Sequence, residues 1–518
     1  MATAHAPTPK PSAPTLAMQP STHGAALQMS PVVRAAIKAL SAEVTARSAH
    51  ITDSKPGNPA LASTYADLLA RAKAARGRDL LYPFMGSGLG NGPLVELADG
   101  SVKWDMICGI GVHFFGHSDT DLIEAAAAGA IDDTIKHGNL VSNFEAYEFV
   151  ETLLRHAGKH SKLKHAFVST SGAMANENAL KVCFHRLYQR HASAGDGAKL
   201  LANYAPTPRI FAFKDCFMGR SAMMYSIGDN HAGREGLPHI ANVDYMPFWD
   251  AAAAERMGAG PTGKKKYIDM LLDRMDECVT RFPGAHACFI FELMQGEGGF
   301  NVGDRDYLKA LMDFCKAKHI AVWDDEIQTF GRGPRMFAYE HFDLGDYVDV
   351  FCVGKMTQAC ATAWTEDFNP KTAILSGTFT GEGSSFRAGT RVLERLADPA
   401  NNYYGDSGLF AQHHKHFRTH AQALIQKHPA WFPAVEALGG GGEKLMGGIG
   451  GMMRFTPFAG DKKKIMDVCK ACFEEGVILF YCGHGPHHVR MLPPMPTMRE
   501  EHWPKVFACI EQGLARVG

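Results

Sequence analysis

Short apolar runs alternate with amphipathic stretches from about residue 145 to residue 385. The runs HAFVST, RIFAFKD, HACFIFEL, HIAVWDDE and DVFCVGK are typical of buried strands. Stretches between them, such as DYLKALMDFCKAKH, repeat apolar residues at helical spacing. This alternation predicts an α/β fold with a mostly parallel central sheet and helices on both faces. Functional groups in such a sheet collect at the carboxyl ends of the strands.

Different patterns flank this region. The first 30 residues are mostly Ala, Pro, Thr and Ser, which predicts a disordered tail, and helical spacing begins near Pro31. Asp99 and Gly100 stand between two alternating runs, as in a β-hairpin. From about Phe386 onward, two long helical patterns and a glycine-rich segment predict a smaller α+β domain. The predicted divisions are a tail (1–30), a helical and antiparallel segment (31–144), a large domain (145–385) and a small C-terminal domain (386–518).

Composition excludes several classes of protein. The 53 Lys and Arg residues against 54 Asp and Glu give a net charge of −1, which removes a global electrostatic reason to bind nucleic acid or an anionic membrane. No segment approaches the roughly 20 apolar residues of a membrane helix. The 12 Cys residues are too sparse for a disulfide scaffold, which favours a reducing, cytoplasmic compartment. The acid-free N-terminus leaves mitochondrial import as the lesser alternative to a disordered tail.

Two charged residues follow successive strand-like runs. Asp325 ends the run AVWDD, and Lys355 follows the run DVFCVG. A partly buried lysine has its charged form disfavoured, so its amine can act as a nucleophile. A carboxylate can hold a pyridinium nitrogen protonated, so the pair predicts a site for pyridoxal phosphate, with Lys355 forming the Schiff base. Each residue alone has an ordinary alternative: a solvated surface lysine, or an acidic helix N-terminus in DDE.

A turn suited to phosphate lies earlier in the chain. In STSGAMANENALK a strand ends, Ser171, Gly172 and Ala173 turn, and a helix begins whose free amides can bind an anion. The ordinary alternative is a simple helix cap, because Ser171 is a good N-cap residue and Asn176 and Glu177 lie near the start of the helix.

These residues, with four further motifs, resemble the class III aminotransferases, which share the fold of aspartate aminotransferase (fold type I). The resemblance covers about residues 80–515. The 4-aminobutyrate and lysine 6-aminotransferases look most similar. The motifs are TSGAMANENALK, CFMGR, FELMQGEGGF, DDEIQT with GKMTQ, SGTFTG and VRMLPP.

The resemblance implies a role for each cofactor-binding position. Lys355 is implied as the Schiff-base lysine and proton carrier, Asp325 as the partner of the ring nitrogen, and Gln328 as the partner of the phenolic oxygen. Phe217 is implied to stack on the ring. Thr378 is implied to reach the phosphate from the neighbouring subunit, which implies a homodimer. The remaining implied cofactor contacts are Ser171, Gly172, Ala173 and Glu292.

The resemblance also implies three substrate-binding residues. Arg490 is implied to bind a carboxylate of 2-oxoglutarate, and Glu297 to neutralise Arg490 when the amino donor occupies the pocket. Arg220 is the implied carboxylate anchor for a lysine-like donor. Without the resemblance, Glu297 and Arg490 would be interpreted as a weak surface ion pair.

The sequence also departs from the family pattern. Thr329 runs directly into Phe330 without the usual glycine, Met218 replaces a usual His, and the segments after Lys355 and before MMRF lack usual residues. A zinc site around Cys469 and Cys472 is the weaker alternative to a buried helix face, so no metal is predicted.

The sequence therefore predicts an aminotransferase that moves the ω-amino group of a small-molecule donor to 2-oxoglutarate by a ping-pong mechanism. Two alternatives remain open: an aminomutase or decarboxylase of the same fold, and a non-catalytic protein that binds pyridoxal phosphate.

Overall fold

The computed structural model describes residues 22–133, 136–193, 208–230 and 234–518. The strands in these ranges are β1 (Gly86–Asn91), β2 (Leu94–Leu97), β3 (Val102–Asp105), β4 (Lys136–His137), β5 (Leu163–Ser169), β6 (Arg209–Phe213), β7 (Asn242–Met246), β8 (His286–Phe291), β9 (Ala321–Asp325), β10 (Val350–Val353), β11 (Cys360–Thr365), β12 (Gly381–Glu382), β13 (Met446–Ile449), β14 (Met452–Phe455), β15 (Val477–Ile478), β16 (Phe480–Cys482) and β17 (His488–Met491).

Helices connect and cover these strands. In chain order they are α1 (His23–Met29), α2 (Pro31–Ser48), α3 (Ala62–Arg76), α4 (Cys108–Gly111), α5 (Thr120–Ala130), α6 (Phe144–Ala157), α7 (Gly172–Ser193), α8 (Ala222–Ile227), α9 (Ala251–Met257), α10 (Gly260–Arg281), α11 (Arg305–Ala317), α12 (Ala338–Phe342), α13 (Gly383–Ala397), α14 (Leu409–Lys427), α15 (Lys462–Glu474) and α16 (His502–Ala515). None of the helices in the described ranges combines the length and hydropathy that a membrane span requires.

A seven-stranded sheet forms the centre of the molecule, in the order β5-β11-β10-β9-β8-β6-β7. Strands β10, β9, β8, β6 and β7 pair in parallel, whereas β11 is antiparallel to both of its neighbours, β10 and β5. All five apolar runs of the sequence form strands of this sheet, so the predicted α/β fold is confirmed.

Both faces of the central sheet are buried because successive side chains point in opposite directions. On β8, Cys288 and Ile290 belong to the apolar cluster beneath α7, whereas Phe289 and Phe291 belong to the cluster beneath α11. Every residue of β8, β9 and β10 is buried. This two-sided burial explains why these strands are mostly apolar in sequence.

Two four-stranded sheets accompany the central one, besides a two-stranded pairing of β12 with β4. The predicted hairpin at Asp99 and Gly100 is confirmed, because β2 and β3 pair antiparallel across it. Strand β3 also pairs in parallel with β15, so the hairpin shares its four-stranded sheet, in the order β1-β2-β3-β15, with the C-terminal part of the chain. The other sheet has the order β13-β14-β17-β16. The division at residues 144/145 and 385/386 stays a prediction, and both positions fall inside helices, α6 and α13.

The predicted disordered tail needs one correction. Residues 1–21 lie outside the described residues, but α1 occupies His23–Met29, inside the predicted tail. Thr22 caps this helix by accepting a hydrogen bond from the Ala25 amide at 3.1 Å, and Ala25 is buried. The cap and the buried contact stabilise a segment whose composition is typical of disorder.

Candidate active site

A cavity of about 260 Å³ lies at the carboxyl ends of β8, β9 and β10. Its wall brings together nine of the twelve residues that the sequence predicted for the site, although they are spread over more than 180 positions of the chain. The nine are Gly172, Ala173, Phe217, Arg220, Glu292, Glu297, Asp325, Gln328 and Lys355.

Asp325 is the last residue of β9 and is buried. Its Oδ1 accepts a hydrogen bond from the Ile327 amide at 2.9 Å, and its Oδ2 accepts one from the Asn176 side chain at 2.7 Å. Burial raises the pKa of Asp325, and these two donors oppose that rise. The carboxylate is therefore held in place by donors that favour its charged form. The alternative of an acidic helix N-terminus is wrong, because turns rather than a helix follow β9.

Asn176 was not predicted as a site residue. Its Nδ2 donates to Asp325 Oδ2 and also to the Met218 carbonyl at 2.8 Å, so both amide hydrogens are used. The available signal was its position in the first turns of α7, four residues after Gly172, where the sequence suggested only a helix start. Its contact with Asp325 depends on the packing of α7 against the sheet.

Lys355 follows β10 and begins a short 3-10 turn. Its φ is 55°, in the left-handed region, which costs a non-glycine residue about 1–3 kcal/mol. Burial lowers the pKa of Lys355 to about 8, with Arg490 adding to the fall and Glu297 and Asp325 opposing it. A substantial fraction of this amine is therefore neutral near pH 8 and able to act as a nucleophile.

The predicted phosphate turn begins α7. Ser171 caps the helix by accepting a hydrogen bond from the Met174 amide at 3.2 Å, so it lies beside the cavity rather than on its wall. Gly172 and Ala173 line the cavity. Their amides make no hydrogen bond within the described part of the chain. The turn therefore caps the helix and also leaves two backbone amides free to bind an anion, so the two interpretations are compatible.

Glu297 and Arg490 form an ion pair at the edge of the cavity. Nη2 of Arg490 lies 2.8 Å from Oε1 and 3.0 Å from Oε2 of Glu297. The Arg490 side chain is 0% exposed, and its guanidinium lies over the Phe480 ring at 5.1 Å. Among the residues that the structure describes, its Nε and Nη1 have no hydrogen-bond partner. The alternative of a surface ion pair is wrong, because the cation is completely buried.

Comparison with known proteins identifies the family. A protein-family model with the description "Aminotransferase class-III" matches residues 88–514 of the chain. The chain belongs to the class-III aminotransferases.

Relatives of this aminotransferase act on several amino donors, according to their names. Acetylornithine aminotransferase of Methanocaldococcus jannaschii is 30% identical over 49% of this chain and 54% of its own length. Diaminobutyrate–2-oxoglutarate transaminase of Wolinella succinogenes is 25% identical over 81% of this chain and 88% of its own. The 4-aminobutyrate aminotransferase of Mycobacterium leprae is 25% identical over 79% and 86%.

Solved structures share the fold. Lysine aminotransferase from M. tuberculosis, described in its internal aldimine form, superposes with a TM-score of 0.71 and 21% identity. The superposition covers 87% of this chain and all of that one. This similarity shows that the aminotransferase has the fold of pyridoxal phosphate-dependent enzymes of fold type I.

Buried polar atoms of the aminotransferase fit pyridoxal phosphate, the cofactor of its family. Both amide atoms of Gln328 are buried without a hydrogen-bond partner. Gly296 leaves room for this amide, because a Cβ at position 296 would overlap Gln328 Oε1. Oε2 of Glu292 is also buried without a partner, and burial raises the pKa of Glu292 well above its usual value. A planar ligand with polar substituents and a phosphate would satisfy these atoms and the free amides of the phosphate turn.

Two predicted residues of the aminotransferase lie toward solvent. Arg220 is exposed at the cavity wall, and its guanidinium lies 5.9 Å from the centre of the Phe217 ring. Thr378 is exposed and does not line the cavity of its own chain. Its role at a partner's site therefore remains a prediction.

The two cysteines considered for zinc lie on α15. Cys469 and Cys472 are both buried, and Cys472 Sγ lies 3.9 Å from the Ile510 carbonyl of α16. Both residues therefore lie on the buried face of α15, as the sequence predicted for this helix.

Proposed function

We propose that this class-III aminotransferase moves the ω-amino group of an amino acid to 2-oxoglutarate in a ping-pong reaction. The ion pair between Glu297 and Arg490 is the observation that carries this proposal. The dicarboxylate acceptor has a carboxylate at this point of the pocket, whereas the amino donor has none. An enzyme that binds the two in turn needs a positive charge here that can be neutralised when the donor is bound. A buried arginine with a carboxylate partner on the cavity wall meets that need.

Arg490 has donors available for the acceptor. Because its Nε and Nη1 are unpaired, a substrate carboxylate can form a bidentate contact once Glu297 moves away. When Glu297 is paired with Arg490, the positive charge of the guanidinium is neutralised, and the amine-bearing chain of the donor can lie beside it. Arg220 at the exposed side of the cavity is positioned to hold the far carboxylate of the donor.

The other residues of the cavity supply proton transfer and orientation. When bound, pyridoxal phosphate supplies an electron sink for the substrate. Asp325 would keep its ring nitrogen protonated, and Gln328 would hydrogen-bond its phenolic oxygen. Lys355, whose pKa is lowered to about 8, would take the proton from the substrate carbon and return it, because its amine can exist in either form near neutral pH.

Separate half-reactions test the proposal. Purified enzyme loaded with pyridoxal phosphate is mixed with lysine, ornithine, 4-aminobutyrate and diamines, and conversion of the cofactor to its amine form is followed by absorbance. The amine form is then mixed with 2-oxoglutarate, and glutamate is measured. We expect glutamate to be released. Turnover without glutamate would favour an aminomutase or decarboxylase, and a colourless protein that takes up no cofactor would exclude all the enzymatic functions.

Two variants separate the roles of the ion pair. R490Q should slow the 2-oxoglutarate half-reaction by roughly 30-fold or more, because a buried carboxylate contact is lost. E297Q should slow the donor half-reaction about tenfold or more and leave the acceptor half-reaction within about threefold, because only the donor needs Arg490 neutralised. Equal losses in both half-reactions of E297Q would contradict the switch.

A further inference from the structure

A second, larger cleft of about 1260 Å³ lies beside the catalytic cavity. One loop separates the two. Gly296 and Glu297 line the catalytic cavity, whereas Gln295, Gly298 and Phe300 line the cleft. The opposite wall of the cleft is formed by the sheet β13-β14-β17-β16, with Arg454 and His488 among its residues.

Arg454 is a buried cation without an anionic partner. Its side chain belongs to a residue that is only 8% exposed. Within the described part of the chain, its single hydrogen bond runs from Nη1 to Thr456 Oγ1 at 3.4 Å, and its buried Nε has no partner. Among the described residues, no carboxylate lies within ion-pair distance of the guanidinium. The edge formed by Nε and Nη2 is therefore free, and this edge matches two oxygens of a carboxylate or phosphate.

The sheet is built to accommodate this guanidinium. Gly447, Arg454, Arg490 and Phe480 lie directly opposite one another on four adjacent strands, so their side-chain positions share one face. Arg490 lies over the Phe480 ring. Arg454 instead lies over Gly447, where a Cβ would be only 2.6 Å from its Cζ. Arg490 therefore extends along this face toward β16, and Arg454 extends in the opposite direction, toward β13.

His488 adds a polar group to the same wall. It precedes Arg490 by two residues on β17, so it faces the same side of the sheet. It is 3% exposed, and its Nδ1 lies 2.8 Å from Thr456 Oγ1. Burial, and then the positive charge of Arg454, lower the pKa of His488, so the ring is neutral. If the Thr456 hydroxyl donates to Nδ1, then Nε2 carries the hydrogen and is a second donor on the wall.

Two carboxylates of the cleft, Asp250 and Glu255, accept backbone hydrogen bonds at the two ends of α9. Asp250 accepts a hydrogen bond from the Ala253 amide at 2.9 Å and lies 4.0 Å from Arg256. Glu255 accepts one from the Gly260 amide at 3.2 Å. A buried cation left without a counter-ion destabilises the fold, because its charge has lost the solvation that water provides. A ligand that supplies the anion would remove that cost.

We propose that this cleft binds a small oxyanion, the carboxylate or phosphate group of a metabolite, through the Nε and Nη2 edge of Arg454. The site is separate from the catalytic cavity and does not depend on which amino donor the enzyme uses. Because the Gln295–Phe300 loop forms a wall of both spaces, an anion bound in the cleft lies across this loop from the catalytic cavity.

Titration of the pyridoxal phosphate-loaded enzyme with inorganic phosphate, and separately with acetate, tests the site by calorimetry. We expect saturable binding of at least one anion with a Kd of about 1–10 mM and no change in the absorbance of the cofactor. R454Q should weaken binding about tenfold or more. R256Q, which removes an exposed arginine at the same cleft, is the matched control and should bind as the wild type does.

G447A leaves every charged residue in place, so it provides a second test of the site if R454Q fails to fold. Its methyl group would occupy the position of the guanidinium, so anion binding should weaken in the same direction. Binding of phosphate alone or of acetate alone would support the site and identify its preferred oxyanion. The proposal is overturned by an absence of saturable binding, by wild-type affinity in both R454Q and G447A, or by binding that is lost in R490Q but kept in R454Q.

Discussion

At the scale of single residues, the contact between Asn176 and Asp325 favours the charged form of the carboxylate in the cavity. Asn176 donates to Asp325 Oδ2 at 2.7 Å, and this bond opposes the rise in pKa that burial causes. A hydrogen bond to a charged group is worth about 1.5–3 kcal/mol. The contact therefore favours the ionised form of Asp325, together with the hydrogen bond from the Ile327 amide.

Replacing Asn176 with Ala should lower kcat by roughly 10- to 100-fold, because the pKa of Asp325 rises further and its carboxylate no longer holds the ring nitrogen protonated. The acidic limb of the pH–kcat profile should move to higher pH. Steady-state assays from pH 5 to 9 measure both effects. K181A, which alters an exposed residue on the same helix, is the control. An unchanged acidic limb in N176A would exclude this role.

Lys355 should make cofactor capture depend on pH. Since burial lowers the pKa of its amine to about 8, the amine is protonated and unreactive below that pH. The rate at which cofactor-free enzyme binds pyridoxal phosphate should therefore fall about tenfold for each pH unit below 8 and level off above it. Stopped-flow absorbance measures this rate. A midpoint near the usual lysine value would show that the amine is not perturbed, and K355A should show no such phase.

At the scale of elements, the three consecutive acidic residues at the end of β9 face two different sides of the chain. Asp325 faces the catalytic cavity, whereas Asp324 and Glu326 approach each other in a buried space. Neither carboxylate oxygen of Asp324 meets a donor. Burial, and then the charge of Glu326, raise the pKa of Asp324, and burial raises the pKa of Glu326 to about 8. Both carboxyls therefore keep their protons to a higher pH than ordinary acidic residues do.

This carboxyl pair should make stability fall as the pH rises. The folded state holds protons that the unfolded state releases above about pH 4, so the free energy of unfolding declines as the pH rises from there to about 8. D324N removes one ionisable group. Its melting temperature at pH 8 should exceed that of the wild type by roughly 1 °C for each kcal/mol gained, with little difference at pH 5.

Differential scanning calorimetry at both pH values measures this effect. D346N removes an exposed carboxylate and is the matched control, which should leave the melting temperature unchanged at both. A lower melting temperature for D324N at pH 8 would show that the ionised pair does not destabilise the fold.

The sequence predicted those elements whose residues are apolar on both faces. Strands β8, β9 and β10 are continuously buried, and Asp325 and Lys355 were found because each follows such a run. Strand β7, at the sheet edge, is only partly buried, and β11 is the alanine-containing CATAWT, so neither was predicted as a strand. Asn176 and Arg454 were not predicted as functional, because their roles depend on contacts between distant segments.

At the scale of the whole molecule, an exposed apolar patch surrounds Thr378. Leu140 is 100% exposed, Val141 56% and Phe379 50%. The two loops that carry them are joined by a hydrogen bond from the Asn139 amide to the Gly377 carbonyl at 3.0 Å. A contiguous apolar patch of this kind marks a protein contact site. It supports the proposed homodimer, in which Thr378 reaches the partner's phosphate.

Mixing two inactive variants tests whether Thr378 acts across the interface. T378D places a carboxylate where the phosphate would bind, and K355A removes the catalytic amine. In a mixed dimer one site then carries both substitutions and the other carries neither, so random mixing should restore about a quarter of the wild-type activity. If Thr378 acts in its own chain, every site carries one substitution and activity stays absent. A mixture of K355A with D325A, whose residues line one cavity of one chain, is the control and should also stay inactive.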